Sequence, residues 1–270
     1  MKVAPCLCFA VLVGCGAHTS ARTPRVNAIE LLEVGINDAR PEVIRPMIGE
    51  VYTQHNPRVS DGPEGLLSFV ADFAEVPRSR RVQIENLRSF EDGEFVVLHS
   101  LYTRGAHRIS GFDVFRVRNG LFVEHWDVGM PERGLNPSGR GLLEGATTDA
   151  RQTADAEVTR QLATGIVLGL VGRDDTLVGV AENVLQHDPR IGDGRQAWLD
   201  SLGLQDALVH EELVRTLADS AWALTQSRGR KGDAPVIIYD LFHQREGEVV
   251  EHWVVWERVP ARMRHNNGML

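Results

Sequence analysis

The chain carries the same text twice, and no other feature limits its fold as much. Gln54-His-Asn-Pro-Arg-Val-Ser-Asp-Gly62 returns as Gln186-His-Asp-Pro-Arg-Ile-Gly-Asp-Gly194, displaced by 132 residues. Asp113-Val-Phe-Arg116, followed by Asn119-Gly-Leu-Phe-Val-Glu-His-Trp126, returns as Asp240-Leu-Phe-His243, followed by Glu246-Gly-Glu-Val-Val-Glu-His-Trp253, displaced by 127. Two blocks in one order, with a small net deletion between them, indicate a duplicated domain, since a period this long is too large for a solenoid unit. The 270 residues have room for two such domains of ~100–150 residues each. Gly, Pro, Ser and Thr gather over Pro131–Asp149, where apolar periodicity stops and a boundary falls. The reading is a leader at 1–14, a tether at 15–25, a first domain at 26–133, a linker at 134–152 and a second domain at 153–270.

Apolar spacing in the first copy predicts helices over Val26–Val34, Pro41–Tyr52 and Pro63–Phe73. From Val82 onward the pattern is that of strands, with Asp92-Gly93 and Asn119-Gly120 as hairpin turns. The second copy repeats the scheme. Helices are expected at Ala154–Val171, near Leu177–Val184 and at Gln196–Leu204, then strands at Trp222–Gln226, Val236–Gln244 and Val249–Trp256. Helices followed by antiparallel strands predict an α+β class, with helices packed on one face of a curved sheet.

The first fifteen residues hold one Lys and a short apolar run that ends in Leu12-Val13-Gly14-Cys15. Such a run is too short to span a ~30 Å hydrocarbon core and suits a secretory signal. Its last four residues resemble the bacterial lipobox. That implies an envelope protein held to the membrane by lipid on Cys15; a plain signal peptide with secretion, or a start codon assigned too early, fits the same residues. All three cysteines (Cys6, Cys8 and Cys15) lie in this leader, which leaves the domains without a disulfide, a zinc-thiolate site or a Cys nucleophile. Net charge is −8, from 29 basic and 37 acidic residues, so the basic footprint that nucleic acid requires is missing. No His-x-x-x-His or Glu-x-x-His pair falls on an expected helix, and no Gly-x-Ser-x-Gly elbow, phosphate loop or dinucleotide fingerprint occurs. Neither a metal nor a cofactor is expected.

Ligand-sized space in such a layout lies between the concave sheet and its helices. With Asn119-Gly120 as a two-residue turn, Val117 faces Phe122 and Asp113 faces Trp126. Alternation then puts Asp113, Phe115, Val117, Phe122, Glu124 and Trp126 on one wall, with Arg116, His125 and Asp127 on the other. The first set is the more apolar and is taken as the pocket wall, joined by His99 from Phe95–Tyr102. Burial there would disfavour the charged form of Asp113 and suit it to acid/base work. Each residue also has a plainer reading. Asp113 suits a salt bridge, His99 a satisfied core histidine, His55 a turn hydrogen bond, and Glu124-His125-Trp126 a lock between strands.

Tyr52-Thr-Gln-His-Asn-Pro57, Asp61-Gly62, His99, Asp113-Val-Phe-Arg116 and Val123-Glu-His-Trp-Asp-Val128 together resemble the SnoaL-like proteins. These form the polyketide-cyclase branch of the nuclear transport factor 2-like superfamily. The resemblance implies two cone-shaped α+β barrels and cofactor-independent chemistry of the aldol or isomerase type. It casts Asp113 and His99 as catalytic, with His55, Tyr52, Phe115, Glu124, Trp126 and, in the second copy, Asp240 at the pockets. It implies a small apolar or carbonyl-bearing ligand and pairing of the two copies as an intramolecular pseudo-dimer. In the second copy Thr225 is taken to stand at His99's place and Val254 at Asp127's, which would weaken that copy. The Asn266-Asn-Gly-Met269 ending, typical of the family, is read as following the second copy alone. A non-catalytic binding module, or a structural protein docking a partner through its sheets, are the other functions these residues allow.

Overall fold

The computed structural model describes residues 22–148, 154–174 and 176–270; Cys15 and the leader lie outside the described residues. The first half forms strands β1 (Ile48–Gln54), β2 (Gln83–Asp92), β3 (Phe95–Arg104), β4 (His107–Arg118) and β5 (Leu121–Pro131). The second forms β6 (Val180–Gln186), β7 (Leu208–Asp219), β8 (Trp222–Lys231), β9 (Ala234–Arg245) and β10 (Glu248–Arg258). The orders are β1-β5-β4-β3-β2 and β6-β10-β9-β8-β7, so the two halves share one topology. This is the tandem α+β architecture that the repeat requires.

Two details of the expected fold are corrected. Neither sheet is wholly antiparallel, because β1 runs parallel to β5 and β6 parallel to β10. Neither closes into a barrel, because the outer strands of each order have a single neighbour among the described residues. The expected helices at Pro41–Tyr52 and near Leu177–Val184 are the cause. Helix α2 is only Pro41–Ile44 with a short 3₁₀ extension, and Ile48–Gln54 and Val180–Gln186 are the parallel strands. Ile44, Ile48 and Tyr52 are four residues apart, a spacing that nearly fits a helical turn and also falls on one face of a strand. Tertiary pairing with β5 decided for the strand.

Helix α1 (Pro24–Glu30) continues as a π-helical segment to Ile36, and α3 (Gly62–Asp72) buries Leu66, Leu67 and Val70 against the concave face of the first sheet. In the second half α4 (Ala156–Gly172) buries Ala163, Ile166, Val167 and Leu170, and α5 (Arg195–Leu202) buries Trp198. The Asp155 side chain caps α4 by accepting from the Glu157 N–H at 2.8 Å. Asn119 and Gly120 join β4 to β5 with φ of 52° and 78°, as a two-residue hairpin with both turn positions left-handed requires.

The convex faces share one apolar cluster, with Phe112, Trp126 and Val128 from the first sheet and Tyr239, Leu241, Trp253 and Val255 from the second. Burying each such large side chain contributes roughly 1.5–3 kcal/mol. Two arginines cross this layer in matching fashion: Arg88 lies 4.6 Å from the Trp253 ring and Arg215 lies 4.2 Å from that of Trp126.

The segments that follow the sheets cross over. Asn136, after the first sheet, donates to the Gln186 carbonyl at 2.7 Å; Asn267, after the second, donates to the Gln54 carbonyl at 3.0 Å. His187 Nδ1 meets the Gly141 carbonyl at 2.8 Å, and His55 Nδ1 meets that of Gly268 at 3.0 Å. The Asn-Asn-Gly-Met ending follows the second copy alone, yet a crossing segment follows both. Asn136 and Asn267 do the same work with unlike neighbours, so the text alone hid the match. Among the described residues no helix is long and apolar enough to cross a membrane.

Candidate functional site

A cavity of about 490 Å³ opens between α3 and the concave face of the first sheet. Ile36, Val59, Leu66, Phe69, Phe73 and Ile84 give it apolar walls, and Tyr102, Asp113, His125 and Asp127 line its polar side. Which residues reach it is set by a bulge. Strands β4 and β5 pair as Val117↔Phe122 beside the turn but as Arg116↔Glu124, Phe115↔His125 and Asp113↔Asp127 beyond it, so Val123 is an extra residue. One extra residue turns every later side chain to the opposite face.

The expected wall is therefore half corrected. Asp113, Phe115 and Phe122 do lie on the concave side, while Trp126 and Glu124 turn away from it and His125 and Asp127 take their place. Trp126 is buried between the sheets and stacks on His55 at 4.9 Å. His55 also pairs with Glu124 Oε1 at 2.9 Å, and Arg116 holds the other Glu124 oxygen. Glu124 and Trp126 are thus placed as a link between elements, their plainer reading, whereas the His55 ring bonds Glu124 and the Gly268 carbonyl and not its own turn. Tyr52 is buried under the site; burial, then the charges of Asp127 and Asp113, raise its pKa well above the ordinary phenol value.

His99 is also corrected. It pairs with Phe112 across the strands, whereas Asp113 pairs with Leu98, so the two lie on opposite faces. His99 stacks on Phe112, bonds Ser110 Oγ at 2.7 Å and meets Arg88 at 3.1 Å. Burial, then the charges of Arg88 and His187, push its pKa well below the usual imidazole range. It is a neutral core histidine.

Asp113 has a different partner. It is 1% exposed; its Oδ1 accepts from His125 Nε2 at 3.1 Å and its Oδ2 accepts from the Tyr102 hydroxyl. His125 Nδ1 faces Gln54 Oε1 at 3.1 Å. That oxygen already accepts the backbone N–H groups of His55 at 2.9 Å and Asn56 at 2.8 Å, which fixes the amide's orientation. Both nitrogens of His125 thus face acceptors, a setting that favours the imidazolium. Burial alone would lower its pKa, but the Asp113 hydrogen bond and the charges of Asp127 and Asp113 outweigh it and raise the value. Asp127 accepts from Asn56 Nδ2 at 2.6 Å. Burial pushes its carboxyl up to about 6; the His125 charge opposes this, Asp113 adds to it, the Asn56 bond opposes it and Glu257 adds to it.

Asp113, His125 and Asp127 have donor atoms within 4.8 Å of one another, the one such group found among the described residues. Asp113 is bonded to His125 and Tyr102 and Asp127 to Asn56, and the three groups offer one atom each with which they could also hold a metal ion. In the sequence, the signal for His125 was its place in Val-Glu-His-Trp, whose Glu-His-Trp recurs as Glu251-His-Trp253. Asn56 lies in the repeated Gln-His-Asn-Pro block and Asp127 in the Val123–Val128 motif, but neither is read there as a site residue, and Tyr102 lies in no repeated motif.

The second half keeps the relay but has little space directly beside it; its wider opening of about 510 Å³ is reached past His210, Leu202 and Leu208. Asp240 accepts from His252 Nε2 at 3.1 Å and His210 Nε2 at 2.9 Å, and His252 Nδ1 faces Gln186 Oε1 at 2.9 Å. Trp198 stacks on His252 at 4.2 Å and leaves a space of about 30 Å³. Val254 opposes Asp240 as Asp127 opposes Asp113. The residue at His99's place is Gln226, which opposes Tyr239 as His99 opposes Phe112; Thr225 instead opposes Asp240 as Leu98 opposes Asp113. That assignment is corrected by one position, again through register.

Residues 29–125 match the family model described as the SnoaL-like domain. A candidate ketosteroid isomerase from Kribbella flavida is 24% identical over 41% of this chain and 96% of its own, with a TM-score of 0.35. IdmH, a candidate polyketide cyclase from Streptomyces antibioticus, is 20% identical over 40% and 92%, with a TM-score of 0.34. An NTF2-like protein of unknown function from Cytophaga hutchinsonii is 14% identical over 42% and 94%, with a TM-score of 0.35. No curated protein matches the chain.

Proposed function

We propose, proceeding from a first half that carries a SnoaL-like domain, that its cavity binds a small apolar molecule with a carbonyl group and moves a proton beside that carbonyl. The supporting observation is a carboxyl group raised to about 6, Asp127, set beside the His125–Asp113 pair at the polar side of an apolar cavity. A base with such a pKa is mostly ionised at neutral pH yet basic enough to act. Asp127 takes a proton from the carbon next to the carbonyl, and the electron pair moves to the carbonyl oxygen as an enolate. The His125 cation lowers the energy of that developing charge, and Asp127 returns its proton to the same or another carbon. Return to the same carbon exchanges its hydrogen with solvent, and return to another carbon gives an isomer. Where the enolate carbon instead bonds a second carbonyl carbon, that carbonyl's oxygen becomes an alkoxide and takes the proton from Asp127, giving an aldol.

A second reading is binding without turnover. It is favoured by Asp113, the residue that the resemblance casts as acid/base, because both its oxygens are occupied by His125 and Tyr102. One experiment separates the two. Incubation with an aromatic bicyclic ketone such as tetralone in D₂O should give deuterium at the carbon beside the carbonyl, rising with pH about a midpoint near 6. Asp127→Asn should abolish it and keep the binding. Binding with no exchange in the wild-type chain selects the second reading, and no binding of any such ketone defeats both.

Two further parts belong to this reading. The halves act as an intramolecular pseudo-dimer, which is supported by their shared apolar layer and uses up the convex faces that a docking protein would need. The chain is anchored in the bacterial envelope by lipid on Cys15, and Cys15→Ser should release it from the membrane fraction.

A further inference from the structure

The pair Asp127–His125 is oriented by a loop that the second half holds. Gln54 and Asn56 supply the side-chain oxygen and amide that fix His125 and Asp127, at 3.1 Å and 2.6 Å. Both residues open the loop that runs to Asp61, and the main-chain carbonyls of both are bonded from the far end of the chain. Asn267 Nδ2 donates to the Gln54 carbonyl at 3.0 Å and to Asp61 Oδ1 at 2.8 Å. His265 Nε2 bonds the Asn56 carbonyl at 2.9 Å, and the Arg264 N–H donates to that of Pro57 at 3.0 Å. The strap is itself fixed by Met269, which is 3% exposed within the apolar layer between the sheets.

We infer that Asn267, in the C-terminal strap of the second half, is a positioning residue for the proton-transfer pair of the first half. This rests on the reading of Asp127 and His125 as that pair. Asn267 bridges the two ends of the loop, and without it the Gln54 carbonyl and the Asp61 carboxylate each lose a donor. The loop then relaxes, and Asn56 no longer holds its amide on Asp127. The molecule contains its own control. Asn136 bonds the Gln186 and Ile191 carbonyls at 2.7 and 3.0 Å, but its loop serves the second cup, where Val254 stands at Asp127's place and no such carboxyl is there to position.

The test is carbon-detected NMR titration of the Asp127 carboxyl in the full chain, in wild type, Asn267→Ala, Asn267→Ser and Asn136→Ala. Asp127 is faced by His125 and Asp113 in its own sheet, by Tyr52 and Tyr102, and across the sheet boundary by Glu257, with Arg58 at the rim; none of these is altered. Loss of the Asn56 donor weakens support for the carboxylate. The midpoint in Asn267→Ala should therefore rise by about half a unit, a threefold change in proton affinity. Asn267→Ser, which keeps a shorter donor, should move it less, and Asn136→Ala should leave it alone while lowering thermal stability comparably. A raised wild-type midpoint that does not move in Asn267→Ala, or that moves equally in Asn136→Ala, overturns the inference alone. A wild-type midpoint in the ordinary carboxylate range overturns the proton-transfer reading beneath it.

Discussion

The two cups share strand order, the Gln-His-Asp relay and the crossed tail, yet the space directly at the relay is about 490 Å³ in one and about 30 Å³ in the other. Trp198 supplies the difference in volume, and the exchange of Asp127 for Val254 supplies the difference in charge. In the first cup burial pushes Asp127 up to about 6, opposed by the His125 charge and aided by that of Asp113. In the second, burial is outweighed by His210 and His252, which hold the Asp240 carboxyl far below the usual range. The first half thus sets a raised carboxyl beside its relay, whereas in the second half the relay carboxyl itself is held low by two histidines. A buried relay by itself does not mark an active site; space and an uncommitted partner do.

The strongest test of this contrast is Trp198→Ala. Removing a buried ring that packs against His252 should cost about 3–5 kcal/mol in chemical denaturation, because the cup cannot collapse fully. If it also creates affinity for an apolar ketone, volume alone separates the halves; if not, Val254 matters as well.

Next is Asp127→Val, which copies the second cup into the first. A carboxyl whose folded pKa is above its unfolded value binds more protons when folded. Its contribution to stability is then fully present below ~pH 4 and is lost as pH rises through about 6. The variant should accordingly gain up to about 3 kcal/mol over wild type above pH 6, with the gain shrinking to nothing near pH 4. Asp240→Asn should behave oppositely. A lowered folded pKa stabilises above ~pH 4 and fades as pH falls, so this variant should lose most at neutral pH. Parallel pH-stability curves for the two variants would refute the contrast.

A smaller effect is expected from Phe69→Ala, roughly 1 kcal/mol or less, since this ring already faces the open cavity. Smallest is Arg58→Ala. Arg58 is mostly exposed and pairs with Glu257 at the cavity rim, so denaturation should shift by at most about 1 kcal/mol. A large loss there would mean that the rim contact between the halves is structural.

Duplication, the α+β class, the two hairpin turns and the burial of Asp113 were legible from the text, because repeats, Asn-Gly pairs and apolar alternation act over a few residues. Three things were not. The parallel strands Ile48–Gln54 and Val180–Gln186 carry apolar residues four apart, which suit helix and strand alike, and only a distant partner chooses between them. The bulge at Val123 reversed the wall, removing Glu124 and Trp126 from the cavity and bringing in His125 and Asp127. A one-residue slip is invisible in composition yet inverts every side chain past it. His99 could not be separated from Asp113 by sequence distance, because odd and even positions of neighbouring strands acquire their faces only when the register is set. What the residues determined alone was therefore local: turns, repeat and apolar content. Which carboxyl meets which imidazole, and which cup stays open, required the tertiary fold, because those outcomes depend on pairing between segments far apart in the chain.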